Sequence, residues 1–502
     1  MVSHVNTVAL TGITATLVDV QVQMTGGQAG MRVIGLPDNA VKESQERVRG
    51  AFHALGLRLP AKRITVNLAP ADTPKEGSHY DLPIAVGLLM AIGLLPQDVS
   101  EQALFMGELG LDGHLNPVPG CLPAALHGLE KGLVHVYTPA VNAAEAAWAG
   151  DVSVYGVETL KELMEHLTGA TPLTPTAPKQ VAQVYEQTHL DLADIKGQEA
   201  AKRAAEIAAA GGHNLLLSGP PGSGKSMLAQ RLSGLMPNLT PMEALEVSMV
   251  HSVAGELPNG GLVVQRPFRD PHHSSSAVAL SGGGLKAKPG EMSLSHRGIL
   301  FLDELPEFPR GVLETLRQPL ETGTITVSRA NKHVTYPARF QLVAAMNPCP
   351  CGYLGDANRC KCSPVSVERY QNRLSGPLLD RIDLHVQVPP VNIQDLDLPR
   401  PKEGTAEVAA RVAQARQRQQ ERYADAEERI TCNADLQGKL LDQFCQLDAQ
   451  GREMLQNAAQ KLNLSARAYY RVLKVARTVA DLAAAEAITR NHVAEALGFR
   501  QL

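Results

Sequence analysis

Polar and apolar positions alternate along Leu17-Val18-Asp19-Val20-Gln21-Val22-Gln23-Met24, the period of a half-buried strand. Val41, Val48, Phe52 and Leu55 instead recur near helical spacing, behind Asp38 and Asn39, which suit a helix N-cap. Ile64, Val66 and Leu68 alternate again. Residues 1–167 therefore read as one mixed α/β domain. TGATPLTPTAPKQ, which opens the next stretch, is rich in Thr and Pro without an apolar period, so residues 168–190 are expected to be a linker.

The pattern then changes. After the Ala-rich helix pattern Ala200–Ala210 come short runs that are apolar on both faces: His213–Leu217, Gly298–Leu302 and Gln341–Met346. Such runs, alternating with helices, predict a parallel sheet covered on both sides over residues 191–395. Thr322–Tyr336 alternates as a β-hairpin turning at Arg329–Lys332. Past Val388-Pro389-Pro390 the pattern is helical, giving a C-terminal helical domain over residues 396–502. The expected fold class is α/β.

Composition narrows this only slightly. The chain has 502 residues, with 44% hydrophobic and 20% charged, as in soluble globular proteins. Lys+Arg at 47 against Asp+Glu at 51 give a formal charge of −4, which excludes a globally basic nucleic-acid binder but not a local basic stripe. No apolar run approaches the roughly 20 residues that span a bilayer. The start lacks a basic segment followed by a long apolar core, so no signal peptide and a cytoplasmic location are expected.

Chemistry concentrates in two segments. Gly219-Pro220-Pro221-Gly222-Ser223-Gly224-Lys225-Ser226 matches GxxxxGK[ST], after a buried strand and at the start of a helix. Its glycines allow backbone N–H groups to cradle phosphates at the positive end of the helix dipole. Lys225 is expected to reach the β- and γ-phosphates of ATP, and Ser226 to ligate Mg²⁺. The strand ending in Asp303-Glu304 supplies two carboxylates: Asp303 for the Mg²⁺ shell, Glu304 to activate the attacking water.

The two motifs in this order resemble the AAA+ ATPases. The resemblance implies further roles: Ile195 and Gln198, in Asp194-Ile195-Lys196-Gly197-Gln198, on the adenine side; Asn347 as the polar sensor of the lytic water; Arg381, in Leu378-Leu379-Asp380-Arg381-Ile382-Asp383, as the arginine finger; and Arg467, in Ser465-Ala466-Arg467, as a second sensor. A finger acting on a neighbouring subunit implies a ring, in this family most often a hexamer.

Arg266-Pro267-Phe268-Arg269-Asp270-Pro271-His272-His273 with the glycine-rich segment after it, and the hairpin, resemble the insertions of magnesium-chelatase-type AAA+ proteins. Over nearly its whole length the chain resembles the ComM/YifB family, which implies a ring-forming DNA helicase promoting branch migration in recombination or natural transformation. Lys286, Lys288, Arg329 and Lys332 would then face the pore and contact DNA. The alternative is an ATP-dependent protein remodeller of the magnesium-chelatase subunit type. Threading rings usually carry a pore-loop aromatic, and neither insertion has one near its tip. An ATP-bound scaffold without turnover is disfavoured by Glu304 and Arg381.

The N-terminal domain resembles the proteolytic domain of Lon, with a ribosomal S5 domain 2-like fold, around Asn67–Gly77 and Gly107–Leu122. Asp81 stands where Lon has its serine and Leu122 where it has its lysine, so a non-proteolytic domain is expected. Ser78, close by, reads as a turn serine rather than a shifted nucleophile. Finally, Cys349, Cys351, Cys360 and Cys362 form two CxC pairs in a polar loop, a set of thiolates suited to one structural Zn²⁺; the alternative is four reduced thiols. His272 and His273 read as polar loop residues rather than metal ligands.

Overall fold

The computed structural model describes residues 2–178, 190–257, 260–284, 287–329, 332–391, 401, 403–426 and 430–500. Lys286, residues 179–189 of the expected linker and the boundary at 395/396 lie outside the described residues. So do the side chains of Arg329 and Lys332.

The N-terminal third is built on a seven-stranded mixed sheet, in spatial order Gly30–Ile34, Arg63–Ala69, Thr14–Thr25, Val2–Thr11, Ala103–Phe105, His135–Pro139 and Ser153–Val157. Val2–Thr11 and Thr14–Thr25 form one long antiparallel hairpin, from Val2↔Gln23 to Thr11↔Thr14. The alternation read at residues 17–24 holds: Val18, Val20 and Val22 are fully buried. The expected helix runs Asn39–Ala54, capped by Asp38, whose carboxylate accepts from the Val41 N–H at 2.8 Å.

The helix Asp81–Ala91 is buried along nearly its whole length, which its unbroken apolar sequence demands. Gly87 lets it lie close on the sheet, because a Cβ there would stand 2.7 Å from Val22 Cγ2. Its first residue, Asp81, is fully buried and receives Arg47 Nε at 2.6 Å and the Leu109 N–H at 3.1 Å. Asp81 thus ties three elements together, and removing Arg47 would strand its charge at a cost of about 3–5 kcal/mol. Leu122 is fully buried in the helix Cys121–Glu130.

The second sheet is five-stranded and wholly parallel, in order Phe268–Arg269, Ile299–Leu302, Gln341–Met346, Leu215–Ser218 and Leu384–Gln387. Its three central strands are the apolar runs seen in the sequence, and every residue in them is buried. The edge strands Phe268–Arg269 and Leu384–Gln387 lacked such runs. Chain order reverses at Leu215–Ser218, which makes the C-terminal ends of this strand and its neighbours the place for a ligand.

One face of this sheet carries the Ala-rich helix Glu199–Gly211 and the C-terminal helices. Small side chains let backbones meet there: Gln419 Nε2 donates to Ala210 O at 3.0 Å and Arg416 Nη2 to Ala209 O at 2.8 Å. The other face carries the hairpin Thr324–Arg329/Lys332–Pro337. Tyr336 Oη donates to Ala287 O at 2.8 Å, binding the hairpin to the glycine-rich insertion. The turn at Gly12 in the N-terminal sheet meets the same hairpin, where a Cβ would lie 2.8 Å from Val334 Cγ1. No helix among the described residues is long and apolar enough to cross a membrane.

Candidate functional site

At the C-terminal end of Leu215–Ser218 the loop from Gly219 to Gly224 turns back over the sheet and opens the helix Lys225–Leu235. Gly222 and Gly224 have φ of 75° and 90°, a conformation that a residue with a Cβ adopts only under strain. Lys225 Nζ donates to Gly219 O and Pro220 O, both at 2.8 Å, and to Asn347 Oδ1 at 3.3 Å. Burial lowers the pKa of this ammonium, while Asp303 and Glu304 act in the opposite direction. Its present partners are neutral carbonyl oxygens, which an anionic phosphate would outcompete.

Ser226 Oγ donates to Asp303 Oδ2 at 2.7 Å. A hydroxyl and a carboxylate side by side at a helix N-terminus are a hard-oxygen donor pair that fits Mg²⁺ beside phosphate. Asn347, at the end of Gln341–Met346, reaches the same point through Lys225. On the other side of the loop, Gln198 Nε2 donates to Pro389 O at 2.7 Å and Ser223 O at 3.4 Å. Gln198 Oε1 and Ser223 Oγ are buried without a hydrogen-bond partner, which leaves polar capacity for a ligand against the loop. Ile195 is buried in the Ala-rich core behind this segment.

Glu304 adopts φ 51°, a left-handed turn that lifts its side chain out of the strand line. Its carboxylate is half exposed and lies 3.3 Å from His273 Nδ1. His273 is the contact the sequence reading missed: it follows the short strand Phe268–Arg269, which has no recognisable pattern, and only that strand's pairing with Ile299–Leu302 brings it to Glu304. Phe308 meets the imidazole edge-on, with ring centroids 6.5 Å apart.

The four cysteines converge. Their sulfurs all lie within 4.8 Å of one another, with Cys349–Cys351 at 3.4 Å, Cys351–Cys360 at 3.7 Å and Cys349–Cys360 at 3.9 Å. Tetrahedral zinc–thiolate bonds of about 2.3 Å require sulfur separations of about 3.8 Å, so the set fits zinc. The cluster adjoins the nucleotide loop, since a Cβ on Gly352 would sit 2.5 Å from Pro221 Cδ.

Arg381 and Arg467 are elsewhere. Together with Arg339, Arg471, Lys474 and Glu321 they line a cavity of about 840 Å³ that includes no residue of the Gly219–Ser226 loop. Arg381 is folded back rather than extended. It is only 7% exposed, and it donates to Glu321 Oε2 at 2.6 Å and Pro377 O at 2.7 Å. Arg467 is well exposed and lies 3.9 Å from Glu321 Oε1. The cause is the seating of the C-terminal helices. Arg471 Nη1 binds Asp383 Oδ1 at 2.6 Å, pinning the helix Ala466–Leu482 behind the sheet and away from the nucleotide loop. Of the expected DNA contacts, Lys288 is exposed on the insertion that packs against the hairpin.

The chain matches the family models for magnesium chelatase, subunit ChlI, over residues 191–396, for subunit ChlI of Mg-chelatase over 20–142, and for the ChlI C-terminal region over 402–500. It is 47% identical to Competence protein ComM of Haemophilus influenzae, over 98% of this chain and 96% of that one. It is 44% identical to Uncharacterized protein YifB of Escherichia coli, over 100% and 97%. Similarity to the Magnesium-chelatase 67 kDa subunit of Heliobacterium mobile is lower, 29% over 39% of this chain.

Proposed function

This chain belongs to the ComM/YifB family of magnesium-chelatase-like AAA+ proteins, and from that premise we propose that it is an ATP-hydrolysing, ring-forming DNA motor. Its work would be helicase-driven branch migration during homologous recombination or natural transformation. The observation that carries this reading is the separation of the chemistry into two halves. Lys225, Ser226, Asp303, Glu304 and Asn347 gather at one sheet end, while Arg381 and Arg467 share a distant cavity. One subunit cannot use both on one nucleotide. Copies arranged in a ring, as a hexamer, can, each nucleotide lying between one copy's loop and the next copy's arginines.

In this reading Gln198 and Ile195 flank the adenine side and the loop amides of Gly219–Ser226 hold the phosphates. Lys225 offsets their charge. Ser226 and Asp303 would hold Mg²⁺, which when bound would supply positive charge to offset that of the phosphates. Glu304 takes the proton of a water that attacks the γ-phosphorus; the bond to the β–γ bridging oxygen breaks, releasing ADP and phosphate. Asn347 orients that water, and the neighbour's arginines balance the charge spread over the transferring group.

The two insertions pack together, and their basic residues, the exposed Lys288 with Lys286, Arg329 and Lys332, would make sequence-independent contact with DNA phosphates. The N-terminal domain is read as Lon-protease-like and non-proteolytic: Asp81, fully buried against Arg47, has no access to a substrate bond. The four cysteines are read as a structural zinc site that stiffens the segment between Asn347 and the arginine cavity. The protein would act in the cytoplasm.

The deciding measurement is ATP turnover with and without forked or four-way DNA, beside strand displacement on the same substrates. Stimulation by DNA with strand movement is expected. Turnover indifferent to DNA but raised by a protein partner would move the assignment to a protein remodeller.

A further inference from the structure

One carboxylate stands between the two arginines and anything they would bind. Glu321 accepts Arg381 Nη2 at 2.6 Å through one oxygen and faces Arg467 at 3.9 Å through the other. Arg381 is left incomplete by this arrangement: its Nε is buried without a partner, although the side chain is more than nine-tenths covered. A buried donor without an acceptor is costly, so the cavity holds unused capacity for an anion. Glu321 is itself half exposed, and an ion pair open to water on one side is readily exchanged for a more highly charged phosphate.

Glu321 is also mechanically placed. It lies in the short helix Pro319–Thr322, and the strand Thr324–Arg329 leaves directly after Gly323. The Ala338 N–H donates to Gly323 O at 2.8 Å, closing the hairpin at its base. Arg339, the residue after that closure, lines the same cavity. Both legs of the hairpin therefore spring from the cavity wall, one beside Glu321 and one beside Arg339. Six-residue strands rising about 3.3 Å per residue make a lever of roughly 20 Å from that wall to the tip.

We propose that Glu321 is a gate on Arg381 and Arg467: it retains both guanidiniums within their own subunit until the hairpin engages DNA, and displacement of the hairpin base then draws Glu321 away and frees them for the neighbour's γ-phosphate. Glu321 is a positioning residue, acting only through the arginines. The gate rests on the reading of those arginines as acting on the next subunit and of the hairpin as the DNA contact.

The test uses full-length protein at concentrations where rings are verified, measuring turnover against ATP concentration with and without forked DNA. Glu321→Gln keeps the shape and removes the charge. It is expected to raise DNA-free kcat several-fold, leave the KM for ATP unchanged and shrink the stimulation by DNA towards one. Glu321→Ala should behave alike, and Glu321→Asp, which keeps the carboxylate, should restore part of the stimulation. A purely structural role for Glu321 would instead lower turnover under both conditions. DNA-free turnover that is unchanged or reduced in both Glu321→Gln and Glu321→Ala, with stimulation intact, overturns the gate. Arg381→Ala and Arg467→Ala separate the two failures: if both retain full turnover, the arginine assignment falls and the gate with it; if they are inactive while Glu321→Gln behaves as wild type, only the gate falls.

Discussion

In the proposed function the nucleotide loop and the arginine cavity both meet phosphate, yet they are assembled differently. The loop is made by one continuous octapeptide between a strand and a helix, and its groups already converge: Lys225 on Asn347, Ser226 on Asp303. The cavity collects Glu321, Arg339, Arg381 and Arg467 from segments far apart in the chain, and its central guanidinium is taken up by a carboxylate of the same subunit. Binding can be preorganised in one subunit because preorganisation there lowers the entropic cost of capturing the nucleotide. In the proposed function hydrolysis would wait until a neighbour and DNA are in place, and the folded-back Arg381 is consistent with that reading.

Substitutions that strike one region only put the contrast to work. Arg381→Ala is expected to have the largest effect, a loss of about 10³–10⁵ in turnover, the value of such arginines in kindred phosphoryl transfer. Nucleotide binding measured by calorimetry should survive. A parallel loss of ATP affinity in dilute, unassembled protein would mean that the two regions are not separate. Glu304→Gln should cost about 10²–10⁴ in turnover, the range for a positioned general base, and leave ATP bound. Mixing it with Arg381→Ala should recover some hydrolysis, because some interfaces then pair an intact Glu304 with an intact Arg381. No recovery in verified mixed rings would return Arg381 to its own subunit.

The cysteine loop adjoins the nucleotide loop. Replacing Cys351 and Cys362 by Ser should release about one zinc per chain and lower thermal stability, because metal bound only by the folded site contributes folding free energy. Elemental analysis of the native protein that finds no metal would remove zinc from the account. The smallest expected change is at the hairpin tip. Arg329→Ala with Lys332→Ala should leave ATP binding intact and make DNA affinity less salt-dependent, by a slope of roughly 0.7–0.9 for each phosphate that is no longer neutralised. An unaltered slope would place the DNA elsewhere.

Much of this was legible in the chain itself. The three central strands of the parallel sheet announce themselves because a strand buried on both faces is apolar nearly throughout, with polar residues only at its ends, as Gln341 and Ser218 are. The nucleotide loop is legible because its geometry is local: two left-handed glycines, a helix start and a lysine within eight residues carry their own conformational requirements. The carboxylates of Asp303 and Glu304 follow from their place at a strand end, and the cysteine cluster from the crowding of four thiols into one loop. The strand at Leu17–Met24 and the cap at Asp38 follow from period and propensity alone.

What the sequence could not disclose is which distant groups meet. His273 reaches Glu304 only because an edge strand of two residues pairs in parallel with Ile299–Leu302. Asp81 meets Arg47 through the packing of two helices. Arg467, legible as a motif, was not legible as a neighbour of Arg381; that was decided by where the C-terminal helices dock, through Arg471 on Asp383 and through an alanine face small enough to admit backbone contact. Glu321 gave no signal, since a lone carboxylate in a short helix has no pattern. Local conformation is set by neighbouring residues and can be read from them, whereas a contact across sixty residues exists only once the sheet has brought its ends together.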